Sequence, residues 1–217
     1  MADDKNRIKL MLVGETDVGK TSIFERFLHN QFTEKINSSV GFDYESKQFK
    51  YKKNVYNIDL YDTAGQERFR STFTRVFKEA QGIFVVFDLT NENSFEAIKG
   101  WLELIKVNAP SAKIIFLGNK ADLKEKRIGM NKKDIEENLR QLKELEILKD
   151  LTNLVNNEII YYEISAKKDK NITEAIKKMI SLIKGISEDD AKEKTEGNAD
   201  EQSEKTTCPC LHSCNLI

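Results

Sequence analysis

The sequence predicts an α/β domain, a mostly parallel six-stranded sheet with helices on both faces, followed by a disordered C-terminal tail. Three observations predict it. Short apolar runs alternate with helical patterns along most of the chain. Four of the runs are apolar nearly throughout, as strands are when helices cover both sides of a parallel sheet. After Ile186 apolar residues almost vanish until the last ten positions, and a segment of Glu, Asp, Lys, Ser, Thr and Gly cannot bury enough surface to offset the entropy of ordering. With 217 residues, 39% apolar and 33% charged, the chain has material for one ordinary core and a tail, not for two full domains.

In chain order, Ile8 to Val13 reads as a strand and Lys20 to His29 as the helix after it. Lys47 to Tyr51 is a more exposed strand, hairpinned through Lys52, Lys53 and Asn54 to the strand Val55 to Tyr61. A helix around Thr72 to Glu79 precedes the strand Ile83 to Leu89. The next helix runs from Ser94, read as its N-cap, to Asn108, and Pro110 prevents its continuation. Ile114 to Leu117 is a strand. Residues 131–155 form a long amphipathic pattern of one or two helices, with Ile135, Leu139, Leu142, Leu145, Leu148, Leu151 and Leu154 at three- and four-residue steps. The strand Ile159 to Ile164 and the helix Ile172 to Ile186 complete a domain of residues 1–186, leaving 187–217 as tail. His29, at a helix end, reads as an exposed capping residue and not a catalyst.

Lys plus Arg number 35 against 36 Asp plus Glu, a net charge of −1, so no overall field draws the chain to nucleic acid or anionic lipid. From Ser187 to Thr207 eight acids face three lysines, a net of −5 that leaves about +4 on the remainder. No apolar run approaches the roughly 20 residues a bilayer span needs, and the first residues show neither a signal-peptide core nor a myristoylated glycine, so a cytosolic chain is expected. The three cysteines, Cys208, Cys210 and Cys214, crowd the last ten residues and form no disulfide framework for a core.

Directly after the first strand comes Gly14-Glu15-Thr16-Asp17-Val18-Gly19-Lys20-Thr21, a Gly-x-x-x-x-Gly-Lys-Ser/Thr phosphate loop in a strand-loop-helix setting. Its glycines let backbone N–H groups and the positive helix end converge on a β-phosphate. Lys20 would reach the β- and γ-phosphates, and the Thr21 hydroxyl would join a Mg²⁺ shell. The loop alone does not separate ATP from GTP. Asn119-Lys120-Ala121-Asp122, after the strand Ile114 to Leu117, supplies the base reader: a carboxylate on Asp122 can accept from guanine N1–H and the exocyclic amine, which adenine cannot offer in that geometry. Asp62-Thr63-Ala64-Gly65-Gln66-Glu67 follows another strand, with Asp62 suited to the magnesium side, Gly65 N–H to a γ-phosphate and Gln66 to orienting a water.

Together these residues resemble the Ras superfamily of small GTPases over about Lys9 to Ile186, with a final Ser165-Ala166-Lys167 in the family's order. Val40-Gly41-Phe42-Asp43-Tyr44, Arg68-Phe69-Arg70-Ser71 and Val86-Phe87-Asp88-Leu89-Thr90 look most like the Rab branch. The resemblance implies a single P-loop GTPase domain that is on with GTP, off with GDP, and acts in vesicle traffic. It implies catalytic roles for Gln66 and Lys20, and nucleotide contacts from Gly14, Asp17, Val18, Gly19, Lys20, Thr21, Ser22, Phe32, Ser39, Gly65, Asn119, Lys120, Asp122, Ser165, Ala166 and Lys167. Thr21, Ser39 and Asp62 would hold Mg²⁺. An exchange factor, a GTPase-activating protein, a prenyl-binding chaperone and effectors would be partners; nucleic acid would not.

Several residues depart from that pattern. Ser39 replaces threonine, Asp17 replaces glycine next to the phosphates, and Tyr61 replaces tryptophan, so that Tyr44, Tyr61 and Phe77 would form a modified aromatic triad for effectors. Glu79 and Val76 also differ from the pattern, and the interval from Asn119 to Ser165 is longer, the surplus being the leucine-rich 131–155. Its leucines are expected to pack onto the domain as a lengthened helix, a partner-binding helix being the alternative. No phosphate-loop arginine is placed to neutralise transition-state charge, so intrinsic hydrolysis is expected to be slow. Asp17 and Ser39 motivate a rival reading, a module that holds GTP and scarcely hydrolyses it; an ATP-using P-loop kinase is disfavoured by Asp122.

Cys214-Asn215-Leu216-Ile217 has the Cys-a-a-X form of a prenyl acceptor, geranylgeranyl by its aliphatic last residue. One lipid holds only marginally and the acidic tail lacks a basic helper, so Cys208 and Cys210 are candidates for a second chain. The expected place is the cytoplasmic face of an intracellular membrane, in exchange with the cytosol. A zinc site at Cys208, Cys210, His212 and Cys214 is disfavoured because alternate residues are cramped for a tetrahedral ion.

Overall fold

The structure is a computed structural model, and it describes residues 5–34, 42–63, 74–127, 129, 131–144 and 159–186. Six strands, β1 (Arg7–Val13), β2 (Phe42–Tyr51), β3 (Asn54–Thr63), β4 (Gly82–Asp88), β5 (Lys113–Asn119) and β6 (Tyr161–Glu163), form one sheet in the order β2-β3-β1-β4-β5-β6. Only β2 and β3 pair antiparallel, through the Lys52-Lys53 turn; all other neighbours are parallel. The expected mostly parallel sheet is therefore present, and its parallel strands all deliver their carboxyl ends to one edge. The chain leaves β1 toward β3 on one side and β4 lies on the other, which makes that edge the topological switch point where α/β sheets bind ligands.

Alternation along each strand divides the core in two. Leu10, Leu12, Phe84, Val86, Ile115 and Leu117 point into one layer, closed by helices α1 (Lys20–His29) and, at the end of the domain, α6 (Ile172–Lys184). Met11, Val13, Ile83, Val85, Phe87, Ile114 and Phe116 point into the other. That layer is covered by α2 (Thr74–Glu79), α4 (Ile98–Asn108) and α5 (Lys132–Glu144), with the short α3 (Glu92–Glu96) leading into α4. Both faces are covered, which is why the strands read as continuous apolar runs and not as alternating ones.

The helix expected to start at Ser94 is two helices, and its cap is Asn91, whose side chain accepts from Asn93 N–H at 3.1 Å. Ser94 is buried instead, accepting from Asp88 N–H at 2.9 Å and donating to Asn91 O at 2.7 Å. Backbone groups at the end of β4 and in the turn after it took the hydroxyl that local reasoning gave to a cap. His29 ends α1, but Asn30 in the left-handed region is the C-cap, and His29 Nε2 lies 3.2 Å from Glu45 Oε2. The expected last helix stops at Lys184, with Gly185 as C-cap.

Within the 131–155 segment, α5 buries Ile135 and Leu139 completely and packs Leu142 against the same layer, so this part of the lengthened helix lies on the domain. Leu145, Leu148, Leu151 and Leu154 lie outside the described residues. Leu139→Ala should lower stability by about 2–5 kcal/mol, the range for a leucine truncated in a full core. The urea midpoint measures it; an unchanged midpoint would mean that α5 is dispensable.

Candidate functional site

The phosphate loop connects β1 to α1 and is shaped by two glycines. Gly14 has φ 148°, and a Cβ there would run into the carbonyl oxygen of Val86. Gly19, the residue before α1, has φ 93°, and a Cβ there would run into the side-chain amide of Asn119. Asp17 sits between them at φ 64°, a left-handed conformation that glycine adopts far more readily. Its departure from glycine thus carries backbone strain as well as charge. Asp and Asn tolerate that region best among ordinary residues, so the loop keeps its path.

Lys20 lies almost wholly buried inside this loop, where its ammonium donates to Gly14 O at 2.9 Å and Glu15 O at 2.7 Å. Burial lowers its pKa to about 8, against the opposing pull of Asp62, Glu15 and Asp17. A desolvated ammonium beside backbone carbonyls gains most from an anion brought within its reach. Thr21 Oγ1 donates to Asp62 Oδ2 at 2.5 Å, so the loop hydroxyl and the acid near the end of β3 are adjacent. Two hard oxygens, one anionic, are the donor set that suits Mg²⁺, which takes its remaining ligands from phosphate and water. Thr63 Oγ1 donates to Leu12 O at 2.7 Å and fixes the end of β3 against β1.

At the ends of β5 and β6 the remaining motifs meet. Ser165 Oγ donates to Asp122 Oδ1 at 2.6 Å and aims the carboxylate. Asn119, expected among the groups around guanine, has its amide engaged in scaffolding: Nδ2 donates to Val18 O at 2.9 Å, and Oδ1 accepts from Ala166 N–H at 3.2 Å. One side chain thereby joins the phosphate loop to the Ser165–Lys167 turn. Lys167 reaches Glu34 at 2.5 Å, and the pair raises the pKa of the lysine and lowers that of the glutamate. Phe32 packs partly buried against the α1 layer, and Ser22 lies in the first turn of α1.

The structure therefore gathers Gly14, Asp17, Val18, Gly19, Lys20, Thr21, Ser22 and Asp62 at one end of the sheet, and Asn119, Lys120, Asp122, Ser165, Ala166 and Lys167 beside them. Ser39, Gly65, Gln66, Cys208, Cys210, His212 and Cys214 lie outside the described residues. Of the expected aromatic triad, Tyr44 and Tyr61 stack with centroids 4.8 Å apart on the β2–β3 face, with Tyr44 exposed. Phe77 is buried in the layer against which Tyr61 packs, so it is core and not part of an exposed effector surface. Glu79, in the place of a glycine, pairs with Lys9 at 2.6 Å and Arg75 at 3.2 Å.

The supporting roles of three residues escaped sequence reasoning. Trp101 Nε1 on α4 donates to Glu15 Oε1 at 3.0 Å, tying that helix to the phosphate loop. Arg26 on α1 donates to Ala166 O at 2.8 Å and Lys167 O at 3.3 Å, holding the Ser165–Lys167 turn. Asp88 pairs with Lys120 at 2.6 Å. None of these roles has a local signature; each is defined by a partner far along the chain.

A strand, a glycine-bent loop around a buried lysine and a helix, with an aspartate held by Ser165 just beyond β5, are the arrangement of a P-loop nucleotide-binding protein of the small GTPase class. The chain belongs to the Ras family, whose model matches residues 9–185. It is 35% identical over 188 residues to human Ras-related protein Rab-27B, covering 81% of this chain and 79% of that one. It is 34% identical to the Bos taurus protein of the same name over the same shares, and to Ras-related protein Rab-27A of Canis lupus familiaris over 81% and 78%. The chain is a Rab-like small GTPase, a GTP hydrolase.

Proposed function

We propose that this GTPase is a switch in vesicle-mediated transport, loaded with GTP by an exchange factor and returned to the GDP state with the help of an activating protein. The observation that carries the nucleotide chemistry is the convergence of Lys20, the Thr21–Asp62 pair and the Ser165–Asp122 pair at the carboxyl edge of one sheet. In this reading Lys20 and the loop N–H groups bind the phosphates, Asp122 selects guanine, and Thr21, Asp62 and Ser39 hold Mg²⁺. The ion supplies charge neutralisation on the phosphate oxygens. Gly65 binds the γ-phosphate and Gln66 orients the attacking water. Loss of the γ-phosphate releases the segments around Ser39 and Gly65, which is the switching event.

The test begins with the nucleotide that copurifies. Guanine nucleotide should be retained and should be freed by magnesium chelation, with ATP a poor competitor. Asp122→Ala should lower the preference for guanine over adenine by about a hundredfold or more, because the polar readout that rejects the wrong base is lost. Equal competition by ATP against the unmutated protein would overturn the reading.

The tail, residues 187–217, is proposed to carry prenyl at Cys214 and a second lipid at Cys208 or Cys210, placing the domain on the cytoplasmic face of an intracellular membrane. Among the described residues no helix is long and apolar enough to cross a membrane. Cys208→Ser with Cys210→Ser should shift the protein to the soluble fraction, since one chain anchors only marginally. Undiminished membrane retention in that variant, read by fractionation, would argue against a double anchor.

A further inference from the structure

Asp88 ends β4 as a buried carboxylate with work for both of its oxygens. Oδ1 accepts from Thr90 N–H and Thr90 Oγ1, each at 2.8 Å, and Oδ2 lies 2.6 Å from Lys120 Nζ. The two residues are neighbours through the sheet: Asp88 stands in register with Asn119 of β5, and Leu89 N–H donates to Asn119 O at 3.0 Å. Lys120 itself is in the left-handed region at φ 64°, and a third of its side chain is exposed. Its head therefore had the choice of water and is held by the acid instead. The acid had no such choice, because a buried carboxylate requires a partner.

We propose that Asp88 is a positioning residue for guanine nucleotide: by fixing the Lys120 ammonium it keeps the lysine stem in one rotamer beside Asp122, and so sets how slowly bound nucleotide leaves. This rests on the reading of Asn119 to Asp122 as the base site. A lysine stem loses among the largest rotamer entropies of any side chain when it is ordered. A protein that orders it in advance through Asp88 leaves less ordering for the nucleotide to impose, which deepens the bound state. Thr90 completes the device, since its two donors hold Oδ1 and leave Oδ2 turned toward Lys120.

Release of a fluorescent GDP analogue into excess GDP, with magnesium present, tests the proposal. Asp88→Asn keeps the shape of the side chain and the acceptor for Thr90 while removing the charge, and should release about tenfold faster, equivalent to about 1.4 kcal/mol. Lys120→Met, of similar length and without charge, should also release faster. The double variant should be no faster than Lys120→Met alone. Equal acceleration by Asp88→Asn in both backgrounds, or none in either, overturns the proposal and assigns Asp88 a purely structural role. If Asp88→Asn fails to fold by circular dichroism, Thr90→Val replaces it, with a smaller acceleration that again vanishes in the Lys120→Met background; its persistence there is equally fatal. If the unmutated protein retains no guanine nucleotide, the base-site reading fails first, and this inference with it.

Discussion

Lys20→Ala should lose guanine nucleotide affinity by about a hundred- to ten-thousand-fold, the loss of two charge-assisted phosphate contacts at roughly 1.5–3 kcal/mol each. Equilibrium titration with a fluorescent GDP analogue measures it. The nucleotide-free fold should suffer little. Removing the side chain strips Gly14 O and Glu15 O of a donor, but it also removes a buried ammonium whose desolvation works against folding. The same residue gives a pH signature. Its pKa in the folded protein is lowered to about 8 from an ordinary lysine value of 10.5. Between those values the unfolded chain binds more protons, so the desolvation penalty is present in full below about pH 8 and is relieved as pH rises through the window. Nucleotide binding has the opposite sense. Phosphate restores the charge on Lys20, so binding above about pH 8 must take up a proton. Affinity should therefore fall roughly tenfold between pH 7 and pH 9, and a flat profile would mean that Lys20 does not meet the phosphates.

Gly19→Ala should be nearly as damaging by a different route. Any residue but glycine is strained at φ 93°, and the added methyl group must displace the amide of Asn119. That amide holds Val18 O on one loop and Ala166 N–H on another, so one carbon atom separates the two halves of the site. The backbone strain and the broken hydrogen bonds together should cost about 2–5 kcal/mol. Both the urea midpoint and the GDP off-rate should report it. Asn119→Ala added to Gly19→Ala relieves the collision but not the strain or the lost bridge, so it should not restore binding; full restoration would show that the clash was the whole effect.

Much of the fold was legible because its signals are local. Leu10 to Val13 and Ile83 to Phe87 are buried on both faces and read as strands at sight. Ile23, Phe24, Phe27 and Leu28 repeat at the helical period and form the buried face of α1. Where local reading failed, the folded surroundings had claimed the side chain for another role. Ser94 turned from its cap to Asp88, Phe77 turned from the surface into the core, and the Asn119 amide was taken up by the scaffold. Asp17 shows the same limit in the backbone: its charge was readable, but its left-handed conformation is imposed by the path between Gly14 and Gly19.

Primary structure alone names the groups on which the proposed chemistry rests: a lysine and bent backbone for phosphate, a hydroxyl and an acid for a hard cation, a carboxylate for a purine edge, and thiols for lipid. Residue type and short spacing are enough for that, because donor, acceptor and charge are properties of single side chains. How those groups are held is a product of the folded chain, through Trp101 on Glu15, Arg26 on Ala166 and Asp88 on Lys120. Such pairs join residues that meet only when β1, β4 and β5 lie side by side, and distance along a chain carries no record of distance across a sheet.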